Sequence, residues 1–128
     1  AKPPVYQFRL PTLEFDQPIM VAQGNLLLVV ARYSPGLLNS LQPQGRLSGI
    51  SQSFKGIKLP VSSEGFYVAK AYGTHRGCPL EMIEDGFKES CSDALYDQVG
   101  RSARPNLYPD LATIDYHLNR DYSLLTIE

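Results

Sequence analysis

Residues 79–100, PLEMIEDGFKESCSDALYDQVG, carry the pattern on which the fold class turns. Leu80, Ile83, Phe87, Cys91, Ala94, Leu95 and Val99 recur at spacings of three and four, the signature of one apolar helical face, while Glu81, Glu84, Asp85, Lys88 and Asp97 fall mainly on the other side. The ends are marked as well. Pro79 suits the first helical position, the early acids complement the helix dipole, and Gly100 fits a left-handed cap just past the end. Gly86 is the weak point, at a cost of about 1 kcal/mol relative to Ala in a helix interior.

On both sides of this segment the pattern reads as strands. Val5 to Leu10 alternates Tyr6, Phe8 and Leu10 with Gln7 and Arg9 between Pro4 and Pro11. Leu26 to Tyr33 is continuously apolar, as a central strand covered on both faces would be, and Ser34-Pro35-Gly36 then reads as a turn. Shorter strands are expected at Arg46 to Ser53, Ile57 to Val61 and Phe66 to Tyr72, and a closing hairpin at Thr113 to Leu118 and Tyr122 to Ile127. A helix with a single apolar stripe lays it on a sheet, so the expectation is an α+β fold: one helix packed on a twisted, mostly antiparallel β-sheet. At 128 residues and 43% hydrophobic, the chain is expected to form a single domain spanning residues 1–128.

Charge is segregated along the chain. No acidic residue occurs between Asp16 and Glu64, and residues 1–76 carry a formal +5 against −6 in residues 77–128. A domain built this way has a dipolar surface suited to a charged partner. Arg32, Arg46, Lys55 and Lys58, with Tyr33 and Tyr72 near them in sequence, form the expected partner-binding set, because cations beside aromatic faces suit single-stranded nucleic acid or an acidic protein.

Chemistry is sparse by comparison. His75 and His117 are the only histidines, and with Cys78 and Cys91 they lack the spacing of a zinc site, so no metal is expected. No glycine-rich phosphate loop precedes the proposed helix, whose first turns are acidic; no cofactor and no catalytic set is expected. The longest apolar run, Leu26 to Ala31, is far below the roughly 20 residues that cross a bilayer, so no membrane partner is expected. Because the chain opens at Ala1 without an initiator Met, the lack of a leader does not argue for a cytosolic home.

The two cysteines leave two readings open. An even pair suggests one disulfide, yet thirteen residues of unbroken helix would hold them about 20 Å apart. A disulfide needs Cα atoms within about 7 Å. Either the helix starts late, near Gly86, and Cys78 folds back, or both thiols are free.

Short segments resemble one family. Gly65-Phe66-Tyr67, the helix through Cys91 and Tyr108-Pro109-Asp110 are similar to the opening of the secreted fungal guanyl-specific ribonucleases. Asp16-Gln17-Pro18-Ile19, Ser34-Pro35-Gly36 and Leu47-Ser48-Gly49-Ile50 resemble that family's later strands, in permuted order. The resemblance implies a ribonuclease-like scaffold whose general acid and base are missing, since the matching neighbourhoods hold Asp110, Glu14 or Asp16, Asn39 and Gln52. It resembles in this the ribonuclease-like effectors of powdery mildew fungi, which implies a secreted pseudoenzyme binding host RNA or host protein in virulence. Two other classes stand beside it: a hydrolase or phosphodiesterase using Glu14 or Asp16 with His75 or His117, and an interaction module such as an immunity protein or assembly subunit.

Overall fold

In the computed structural model, which describes residues 5–41 and 59–127, nine strands form three small antiparallel sheets, with one six-residue helix beside them. The middle sheet has the order β2-β3-β4, from Ile19–Gln23, Leu26–Arg32 and Phe66–Lys70. Its centre is the continuous apolar run, as that run's composition requires. Val29, Ala31 and Tyr33, with Tyr67, Ala69 and Ala71, enter one buried cluster; Leu28, Val30 and Val68 enter another on the opposite face. Both faces of the central strand are therefore dry at residues 28–31, and an unbroken apolar strand is what such a position demands.

The second cluster is closed by a sheet of order β1-β9-β8, built from Tyr6–Arg9, Leu124–Ile127 and His117–Leu118. Phe8, Leu10, Leu125 and Ile127 supply its inward side, and the register Phe8↔Leu125 puts two of them directly opposite. The expected closing hairpin is present in shortened form, pairing His117 with Thr126 and Leu118 with Leu125.

The remaining sheet corrects the reading of residues 79–100. In place of one helix the segment forms β5 (Leu80–Ile83), β6 (Gly86–Glu89) and β7 (Leu95–Tyr96), an antiparallel meander whose Phe87 and Tyr96 pack on the core face of the middle sheet. Among the described residues the fold is mostly β and not α+β, since strands in three small antiparallel sheets predominate and the one helix is only six residues long. The reason is visible locally. Glu84 and Asp85 form the two-residue connection that pairs Ile83 with Gly86, so the supposed weak point of a helix is the exit of a hairpin turn. Cys78 and Cys91 are joined, with Cα atoms 5.9 Å apart, a distance no single helix could give them.

The one helix among the described residues, α1 (Pro35–Ser40), lies where the sequence reads as a turn. Ser34 caps it by accepting the Leu37 N–H at 3.1 Å, and Pro35 sits at its start, where the missing N–H leaves no bond unmade. Leu59 to Val61 forms no strand, while the strand expected at Arg46 to Ser53 and residues 57 and 58 lie outside the described residues. Among the described residues no helix is long and apolar enough to cross a membrane.

Candidate partner-binding cleft

Two turns and one long loop meet at the outer end of the β5-β6-β7 meander. The first turn, residues 73–78, is closed by Gly73 N–H to Cys78 O at 2.8 Å and Gly77 N–H to Gly73 O at 3.1 Å. The second, residues 89–94, returns from Glu89 to Ala94 through Glu89 N–H to Ala94 O at 2.9 Å. The Cys78–Cys91 disulfide ties the two together.

Glu89 fastens them from inside. Its carboxylate is sealed from solvent between the turns and accepts the Arg76 and Cys78 N–H groups, each at 3.0 Å, and the Ser92 hydroxyl. Enclosure by itself would raise the pKa of this carboxyl. The Ser92 hydroxyl and the N–H groups of Cys78, Arg76 and Gly77 outweigh that and hold it below the usual glutamate value. Gly73 is required here for space: a Cβ on it would lie 2.3 Å from the Glu89 carboxyl group.

The loop after β7 supplies the third wall. Asp97 accepts the Val99 and Arg101 N–H groups and pairs with the Arg101 guanidinium at 2.6 Å; Ser102 N–H donates to Asp110. Tyr108, buried, exchanges hydrogen bonds with both the N–H and the C=O of Leu95, and its ring meets those of Tyr96 and His75 at 5.4 and 5.6 Å. Thr74 bonds the Tyr96 hydroxyl and the Pro109 carbonyl, which joins the first turn to the long loop.

Together these walls enclose a cleft of about 650 Å³. Arg76, Lys88 and Arg104 face it with His75, against the single carboxylate of Asp93. Among the described residues none of the three permanent cations has an ion-pair partner; Lys88 Nζ donates only to the Glu89 carbonyl at 3.2 Å. Two exposed leucines lie on or near the cleft. Leu107, on the cleft, is 57% exposed, and Leu95, paired across the strands with Lys88, is 41% exposed. The acids Glu81, Glu84 and Asp85, expected on a helix, are instead exposed along β5 and its turn.

Of the residues expected to bind a partner, only Arg32, Tyr33 and Tyr72 are among the described ones, and these three do not come together. Arg46, Lys55 and Lys58 lie outside the described residues. Tyr33 is 1% exposed, its ring in the core and its hydroxyl donating to the Gln98 carbonyl, so it offers no stacking face: an apolar neighbourhood wins over adjacency in sequence. Burial, and next the nearby Asp97 and Asp16 carboxylates, push its pKa well up. Tyr72 is half-buried and donates to Asn25 O at 3.0 Å. Arg32 pairs with Phe66 at one end of the β3-β4 ladder, and Tyr72 lies beyond the other end, where Leu28 pairs with Lys70.

The residues of the hydrolase reading are also apart. Asp16 accepts the N–H and hydroxyl of Ser34, His75 stands at the cleft, and His117 lines a separate hollow with Asp115 and Thr126. No hydrogen bond or ion pair joins either histidine to Glu14 or Asp16 among the described residues. Cys78, Glu89 and Cys91 bring ligand atoms within 4.8 Å of one another, but both sulfurs are spent on the disulfide, which leaves one carboxylate already bonded to three donors.

Linear charge counting missed the cleft because Lys88 and Arg104 sit in the acidic part of the chain and meet Arg76 only after folding. The signal present in the sequence was the cysteine pair, which brackets two of the three walls. No known protein-family model matches the chain, and a search of curated proteins finds no similar one.

Proposed function

We propose that this protein is a secreted, non-catalytic binding protein that recognises an acidic face of another protein through the cleft lined by His75, Arg76, Lys88 and Arg104. The observation that carries the reading is the pairing of three cations lacking ion partners with the exposed Leu107 on a cleft whose turns are stapled by a disulfide and a buried carboxylate. A surface fixed before binding loses little conformational entropy on association. The disulfide supports folding in an oxidising compartment, hence secretion.

Protein is favoured over RNA by where the rings are. Single-stranded nucleic acid needs exposed aromatic faces, whereas Tyr33, Phe66, Tyr67, Tyr96 and Tyr108 are buried and the apolar groups beside the cations are leucines. The test compares a glutamate-rich peptide containing leucines with a single-stranded RNA of equal charge, at several salt concentrations. The peptide is expected to bind more tightly, and Lys88→Glu with Arg104→Glu to abolish it. Tighter RNA binding, with log affinity falling by about 0.7 per phosphate contact against log salt, would replace the proposal with a nucleic-acid one. RNA or glycan cleavage abolished by His75→Ala or His117→Ala would replace it with an enzyme.

A further inference from the structure

Arg32 stands apart from this cleft and is held in an unusual way. Its guanidinium carbon lies 4.8 Å from the centre of the Phe15 ring, 4.9 Å from that of Phe66 and 5.1 Å from that of Tyr122. Phe66 and Tyr122 are themselves in contact, with ring centres 4.8 Å apart. Three rings therefore hold the guanidinium, which stays partly exposed.

The backbone is strained to achieve this. Asp16 and Tyr122 are the only residues other than glycine with positive φ among the described residues, at 67° and 62°. Each belongs to a loop that carries one of the rings to Arg32. The left-handed conformation is unfavourable for a side chain such as Tyr, and strain of this kind concentrates at ligand clamps.

The guanidinium is left with donors to spare. Nε reaches the Glu64 carbonyl at 3.3 Å, and no described carboxylate lies within ion-pair distance of the group. Beside it opens a cleft of about 290 Å³ with Leu10, Leu13, Phe66 and Tyr122 among its walls, and with Asp121 as the one carboxylate. The Glu64 carboxylate, close enough to interact with the Arg32 charge, adds a second negative group beside Asp121, so these surroundings disfavour a polyanion. A ligand with one localised, planar carboxylate on an apolar body fits: the guanidinium fork takes two oxygens in parallel, and the walls take the body.

We infer that Arg32 and its three rings form a second binding site, separate from the basic cleft, for the free C-terminal carboxylate of a peptide ending in an apolar residue. The probes are acetyl-Ala-Ala-Leu as the free acid and as the amide, titrated against the full chain by heteronuclear NMR. The acid is expected to bind about tenfold or more tightly than the amide, the difference that a charge-assisted hydrogen bond of about 1.5 kcal/mol or more makes. Arg32→Lys keeps the charge and loses the fork, and should bring the acid close to the amide, with the thermal midpoint followed to confirm that the variant is folded. Equal affinity for the two peptides, no binding of either, or full binding by Arg32→Lys would each overturn the inference. The acid and amide comparison needs only the unaltered protein, and none of these outcomes bears on the basic cleft.

Discussion

Replacing Glu89 by Gln tests the claim that one carboxylate holds the two turns together. Its oxygens serve two backbone N–H groups at 3.0 Å and the Ser92 hydroxyl. Hydrogen bonds to a charged acceptor contribute about 1.5–3 kcal/mol against about 1 for neutral ones, so neutralising the acceptor of three bonds costs about 2–4 kcal/mol. That is a large share of the roughly 5–15 kcal/mol that holds a domain folded. The disulfide joins the same turns in native and unfolded chains alike, so urea denaturation without reductant isolates the hydrogen bonds. The pH dependence has a definite sign. Glu89's folded pKa is lowered, so its stabilisation is complete above the unfolded value of about 4.3 and is lost as pH falls from there through the folded pKa. The stability gap between the unaltered protein and the Glu89→Gln variant should be constant near neutrality and shrink below about pH 4. A gap under about 0.5 kcal/mol at pH 7, or one that does not shrink in acid, would refute the argument.

Three further predictions concern the core and the staple. Gly100→Ala places a Cβ 2.0 Å from the Tyr67 hydroxyl at a φ of +76°, so a loss of about 2–5 kcal/mol is expected in chemical denaturation, combining left-handed strain with overpacking. The Tyr67 hydroxyl is buried without a hydrogen-bond partner among the described residues; Tyr67→Phe removes that penalty and should raise the thermal midpoint, by an amount equivalent to about 1 kcal/mol. Cutting the disulfide with Cys78→Ser and Cys91→Ser frees a loop with a sequence separation of 13, and should lower stability by about 3 kcal/mol and increase amide exchange across residues 73–78 and 89–94.

The parts of this fold legible in the sequence are those where one physical requirement acts alone. Within the run Leu26 to Ala31, residues 28–31 are dry on both faces, and nothing in their surroundings competes with that reading. Residues 79–100 fail because their strands are four, four and two residues long, too short for alternation to show, while apolar residues from three strands fall by accident at helical spacing. Met82 and Ile83, adjacent and both exposed, break the alternation that would mark β5 as a half-buried strand. Asp85-Gly86 and the cysteine pair were better guides than periodicity, because turn chemistry and covalent reach are local constraints. The cleft was illegible for a different reason. Its cations come from three separate segments, and Glu89 shows in sequence as one more acid although it is the one the fold encloses.

Gly73 and Glu89 interlock, the bare backbone of one filled by the carboxyl of the other. Heredity therefore sees them as a single locus. A side chain gained at position 73 survives only where position 89 has shortened, and a shortened position 89 strands the donors of Arg76 and Cys78 unless something new accepts from them. Across any set of descendants of this chain the two positions should drift together or stand still together, and their joint variation would trace the history of the staple more faithfully than the cysteines do.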